Sequence, residues 1–137
     1  SIKDDDIEAC FNKLNPETDF WKGCYDALLA KGRDLKKEAK SNMRRAREFL
    51  IGQQLNVGKY YLKRNNPTAA MRRFKKIKKT TKVSSFLPEV SYRLIESFTV
   101  IGLFNEALLE MKYMRKKFPA SDWTNEASNL IDNSGLN

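Results

Sequence analysis

The side chains that could do chemistry in this chain are overwhelmingly cationic. Between Lys31 and Lys82 stand eighteen Lys and Arg against three acids, Asp34, Glu38 and Glu48, a local balance of +15. The flanks reverse the sign. Ser1 to Ala30 carries three cations against seven acids, or −4, and Val83 to Asn137 carries five against seven, or −2, which leaves the whole chain at +9. A surface of that sign attracts an acidic protein face, anionic lipid or nucleic acid. The chain has no His, which removes the commonest general base, the commonest metal ligand and the usual catalytic triad. Cys10 and Cys24 are the only thiols and form no Cys-x-x-Cys, so zinc and dithiol redox sites are out. A Cys10–Cys24 disulfide and two half-buried thiols both fit that count. With no nucleophile–base pair, phosphate-cradling glycine loop or metal cluster in the sequence, the expectation is a non-enzymatic protein with no cofactor and no metal.

The densest cationic run, Arg72 to Lys82, could hold phosphate without sequence preference. It lacks a recognition motif, and its one aromatic, Phe74, is assigned to the core. The run therefore predicts weak, salt-sensitive nucleic-acid binding and no specific nucleic-acid partner. Anionic lipid could meet the same basic helix.

These charges must be positioned by helices. Gly and Pro are few, and β-branched runs are scarce. At 137 residues the chain is one domain or a piece of one. No apolar run approaches membrane-spanning length, and the acidic Ser1 to Cys10 lacks the apolar centre of a secretory signal. Asp4 to Leu14 reads as a short helix broken by Asn15-Pro16. Glu17 to Lys31 reads as a second, with Gly32 as its stop, so residues 1–33 form a helical pair, a candidate degenerate repeat. From Asp34 to Arg64 a long helix carries an apolar stripe through Met43, Ala46, Leu50, Gln54, Val57, Tyr61 and Leu62. Gly52 inside it has no evident purpose. Asn66 caps the next helix with Pro67 in its first turn, Leu87-Pro88 opens another that ends near Gly102, Asn105 caps the one after it, and Ser121 caps a last one.

Within this order one helix-turn-helix unit occurs twice, at residues 34–84 and 88–121, with residues 122–137 as a capping helix and tail. The first copy places Val57, Gly58, Tyr61, Ala70, Phe74 and Ile77 at the spacing of a tetratricopeptide repeat, and the second places Leu94, Ile95, Phe98, Ala107, Met111, Met114 and Pro119 there. Lys82 stands where the first copy should have Pro, and Ile95 where the second should have Gly. The frames are 37 residues apart, which puts a three-residue insertion at Ser84 to Leu87. The fold class is therefore all-α, a tetratricopeptide-repeat superhelix of antiparallel helix pairs. Small residues at Gly58 and Ala70 let paired helices approach, while Tyr61 and Phe74 fill the gap between one pair and the next.

Three stretches are more specific than a generic repeat: Tyr60-Tyr61-Leu62-Lys63-Arg64, Ala69-Ala70-Met71-Arg72-Arg73-Phe74, and the second repeat with its Tyr92 to Glu96 segment, Gly102-Leu103, Glu106-Ala107 and Phe118 to Trp123 ending. Together with Lys37 to Leu50 they resemble the carboxy-terminal half of the BamD family, the tetratricopeptide-repeat lipoproteins of the outer-membrane β-barrel assembly machinery. The resemblance covers roughly Leu35 to Leu130, and Ser1 to Asp34 does not share it. It implies a carboxy-terminal fragment or a shortened member. It also implies a scaffold on the periplasmic face of the bacterial outer membrane, lipid-anchored in the full-length protein, with Cys10 not the lipid site. Its partners would be a BamA-like POTRA domain and accessory assembly lipoproteins. By the same resemblance Arg73 pairs with acidic residues on the POTRA domain, and Tyr60, Arg64 and Arg72 are further candidates for that surface.

Overall fold

A computed structural model describes residues 19–136, with side chains from residue 26 onward. Every regular element among them is a helix: α1 Asp19–Lys63, α2 Pro67–Thr80, α3 Leu87–Ile101, α4 Phe104–Lys117 and α5 Asp122–Asn133. The expected Asp4 to Leu14 helix and the Cys10–Cys24 pairing lie outside the described residues. No helix among these is long and apolar enough to cross a membrane.

Two compact units divide the chain between Ala46 and Arg47. In the first, no side chain from Asp26 to Ala46 is buried. Gly32 was expected to stop a helix here, and it does not: α1 runs through it. A Cβ at Gly32 would meet nothing within 4 Å, so packing neither demands nor forbids glycine there. One interior glycine costs a helix only about 1 kcal/mol, which the strong helix formers around it outweigh.

In the second unit α3 is the central element, packed on α2, α4 and α5. Its core joins Leu55 of α1 to Ala70, Phe74 and Ile77 of α2, Leu94, Ile95 and Phe98 of α3, Ala107, Met111 and Met114 of α4, and Ala127 and Ile131 of α5. The two repeat frames thus place their inward residues as expected, including Ile95 in the glycine position, except for Val57, which is exposed. Tyr61 is half-buried against this core. Pro119 lies exposed just beyond the end of α4.

The apolar stripe expected on the long helix is displaced. Leu50 and Val57 are 59% and 38% exposed, Gln54 is exposed, and the inward line instead passes through Ile51, Leu55 and Gly58, meeting the expected stripe only at Tyr61 and Leu62. The two lines differ by one residue, about 100° around the helix. Gly58 selects between them. A Cβ on it would lie 2.3 Å from Phe74 Cε1, so α2 approaches α1 on the Gly58 side. Gly52 finds its reason on the same side, where a Cβ would lie 3.1 Å from Phe86 Cζ.

Turn chemistry fixes the hairpins. Asn66 Oδ1 accepts from Ala69 N–H at 3.2 Å, and Ser121 Oγ accepts from Trp123 N–H, both as expected. Asn105 caps nothing, because α4 begins at Phe104 with Leu103 in the cap position and no side-chain bond. The reason is the left-handed Gly102 (φ 94°), which ends α3 early enough for Leu103 N–H to reach Phe98 O at 2.9 Å. The Leu103 carbonyl then accepts from Ala107 N–H and starts the next helix. The insertion between the repeats is tied down by Glu48. Its carboxylate accepts from Ser84 Oγ at 3.0 Å, Ser85 N–H at 3.0 Å and Ser85 Oγ at 3.1 Å. The Ser84 hydroxyl bond chiefly, with those from Ser85, holds the Glu48 carboxyl below its usual range, against the opposing effect of partial desolvation.

Candidate functional site

The end of α1 and the start of α2 assemble the residues singled out for docking. Helix α1 stops because Asn65 takes the left-handed conformation at φ 57°. Asn66 N–H then bonds to Tyr61 O at 2.9 Å and Asn65 N–H to Leu62 O at 3.2 Å. This is the doubled C-terminal bond of a Schellman turn, with Asn where glycine is commoner. Asn66 and Pro67 start α2 immediately, so the chain reverses within three residues, and the close approach at Gly58 holds the two helices side by side.

That reversal lays α2 against the tyrosine pair. The Tyr60 and Tyr61 rings meet edge to face, with centroids 5.9 Å apart at 66°. Arg64 Cζ stands 5.2 Å from the Tyr60 centroid, and Arg73 Cζ stands 6.0 Å from the Tyr61 centroid. The result is a row in the order Arg64, Tyr60, Tyr61, Arg73. Tyr60 is 52% exposed, and both guanidiniums lie at the surface. A ring face attracts a guanidinium by about 0.5–1 kcal/mol at exposed sites, enough to narrow the range of each Arg without removing it from water. Arg72 is exposed one position further round α2 and has no ring contact, so the structure does not bring it into the row.

Ion pairing sorts the remaining cations. Lys59 pairs with Glu89 at 3.1 Å, Lys78 with Glu110, and Arg93 with both Glu89 and Glu96. No ion pair among the described residues involves Arg64, Arg72 or Arg73. The row therefore presents two oriented, uncompensated guanidiniums, each able to hold a carboxylate in two hydrogen bonds. No cluster of three or more His, Cys, Asp or Glu that could hold a metal occurs among the described residues.

Sequence reasoning named the four residues of this row but assigned Tyr61 to packing alone. It missed the Lys78–Glu110 pair, which spans 32 residues and is closed over the Tyr113 ring, with Lys78 Nζ 4.1 Å from the centroid. Only the repeat frame could have signalled it, by setting α2 and α4 as successive equivalent helices.

Comparison with known proteins locates the resemblance. The chain is 33% identical over 86 residues to the outer membrane protein assembly factor BamD of Rickettsia prowazekii, covering 63% of this chain and 34% of that protein. It is 33% identical over 87 residues to BamD of Caulobacter vibrioides, covering 64% of this chain and 28% of that protein. The matched stretch thus spans about a third of the length of these curated relatives. No family model matches the chain, and no solved structure does.

Proposed function

We propose that the chain is a non-catalytic docking scaffold in outer-membrane protein assembly. In this reading it works at the periplasmic face of the outer membrane, and the Arg64–Tyr60–Tyr61–Arg73 row receives an acidic face of the barrel-forming partner, the POTRA domain of BamA. The similarity to BamD proteins supports the process. One observation carries the site: the row's guanidiniums are oriented by rings and have no carboxylate partner among the described residues, whereas Lys59, Lys78 and Arg93 are compensated within the chain. A carboxylate from outside would complete Arg73 at little ordering cost, since the Tyr61 ring already restricts it. Tyr60 adds exposed aromatic area beside it, a residue type enriched where binding energy concentrates.

A footprint tests this directly. The isotope-labelled chain would be titrated with the isolated POTRA domain and its amide resonances followed. The expected shifts cluster on Tyr60 to Arg64 and on the α2 turn around Arg73. A footprint confined to α4 and α5 would refute the assignment.

A further inference from the structure

Helix α2 has a second cationic flank. Lys75 is two residues past Arg73, about 200° round the helix, so Lys75, Lys78 and Lys79 face away from the tyrosine row and toward α4. There they form one wall of a groove of about 460 Å³. Its floor is Leu94 and Phe98 of α3, and its far wall is Glu106, Leu109, Glu110 and Tyr113 of α4.

The two walls differ in a way that specifies an occupant. Lys78 and Glu110 neutralise each other, and Lys78 also caps the Tyr113 ring, so these three side chains are fixed. Lys75 rests over the Phe98 ring at 5.4 Å, and neither it nor Lys79 forms an ion pair among the described residues. They lie four residues apart, one above the other on the helix. Opposite them Leu109 is 64% exposed and Tyr113 is 38% exposed. The α2 wall thus offers free positive charge, and the α4 wall offers apolar surface at Leu109 and at the part of the Tyr113 ring that Lys78 leaves open.

We propose that this groove is a second docking surface, and that its occupant is an amphipathic peptide segment of a partner protein. Carboxylates of the segment meet Lys75 and Lys79, and apolar side chains next to them rest on Leu109 and Tyr113. Glu106, at the far wall, repels acids placed there and so sets which way round the segment lies. A helical ridge fits best, because acids four residues apart match the spacing of the two lysines. The proposal does not rest on the Arg73 reading, since the two surfaces occupy different flanks of α2.

Two short synthetic peptides serve as probes against the full chain, read by fluorescence anisotropy. One carries Leu and Phe along one face with Glu residues four apart beside them, and the other replaces every Glu by Lys. The acidic peptide is expected to bind and the basic one not. The double variant Lys75→Glu/Lys79→Glu and the single variant Leu109→Asp should each weaken binding about tenfold, or about 1.4 kcal/mol. Arg73→Glu should change it less than about twofold. All these positions are exposed, and circular dichroism verifies the fold. Absence of binding up to about 1 mM would overturn the proposal. So would a loss caused by Arg73→Glu alone, which assigns the peptide to the other flank. Binding indifferent to Leu109→Asp but lost with the lysines, and reproduced on phosphatidylglycerol vesicles, would replace the peptide by an anionic lipid surface.

Discussion

Replacing Gly58 by Ala adds one methyl group where α1 meets α2, and its effect can be worked from the structure. The new Cβ would lie 2.3, 2.7 and 3.0 Å from three atoms of the Phe74 ring, against ordinary contact from about 3.4 Å, so the ring must retreat by about 1.1 Å. Phe74 is fully buried and has no open side to move into. Overpacking of this kind costs about 1–3 kcal/mol, while exchanging Gly for Ala inside a helix returns about 1 kcal/mol. Gly52→Ala is the matched control. It carries the same helix gain, but its Cβ would meet the edge of the half-buried Phe86 ring at 3.1 Å, a shortfall of only about 0.3 Å. The helix term cancels between the two, so Gly58→Ala should be less stable than Gly52→Ala by about 1–2 kcal/mol. Urea midpoints at constant slope give the difference. Adding Phe74→Leu to Gly58→Ala should then cost less than Phe74→Leu alone, because the shortened side chain relieves the clash. If Gly58→Ala is as stable as Gly52→Ala, the close approach does not exist and the repeat frame is misplaced.

Ala70→Leu, at a position with no exposed surface, should cost about 1–3 kcal/mol by the same overpacking, seen as a lowered urea midpoint. Glu48 has a folded-state pKa below its ordinary 4.5, so its tether contributes in full above that value and is lost as pH falls through the lower folded one. Glu48→Ala should therefore lower the melting temperature at neutral pH and leave a smaller further drop on that acid side, measured by thermal scans across the range. Glu110→Ala removes the partner of the half-buried Lys78 and should cost about 1–3 kcal/mol, between the exposed and buried limits for an ion pair, whereas Glu110→Ala with Lys78→Met should recover part of it in the same assay. Binding to a DNA duplex of arbitrary sequence should vanish between low and physiological salt, and sequence preference surviving at the higher salt would contradict the scaffold reading.

The hairpins were legible in the sequence because their signals are local. Asn66-Pro67, Gly102 and Ser121 each act within a few residues, and each does what its chemistry dictates. The repeat frame was legible because it occurs twice, and the resemblance to BamD agrees with the similarity to curated BamD proteins over about 64% of the chain. What failed were readings that needed a partner from elsewhere in the chain. Met43, Leu50 and Val57 make a credible stripe by period alone, but the buried face of α1 is chosen by where Phe74 and Phe86 lie, and glycines 58 and 52 were its only local trace. Gly32 resembles a stop, yet nothing packs there to end a helix. Asn105 has the right chemistry for a cap but sits one residue inside the helix that the Gly102 turn starts. Within the tyrosine row, Arg73 was named by resemblance, while Tyr61, the ring beneath it, was read from the repeat frame as packing alone.

The most direct test of the docking account is a binding titration of the POTRA domain against the unmodified chain, Arg73→Lys and Arg73→Glu, with circular dichroism as the folding control. Folding should be nearly unchanged in all three, because an exposed charge contributes little to stability. Arg73→Glu should lose about 2–5 kcal/mol of binding if its carboxylate pair is buried in the complex. Arg73→Lys should fall between, since it keeps the charge but loses the forked contact. Equal affinities for all three would place Arg73 outside the interface and contradict the account.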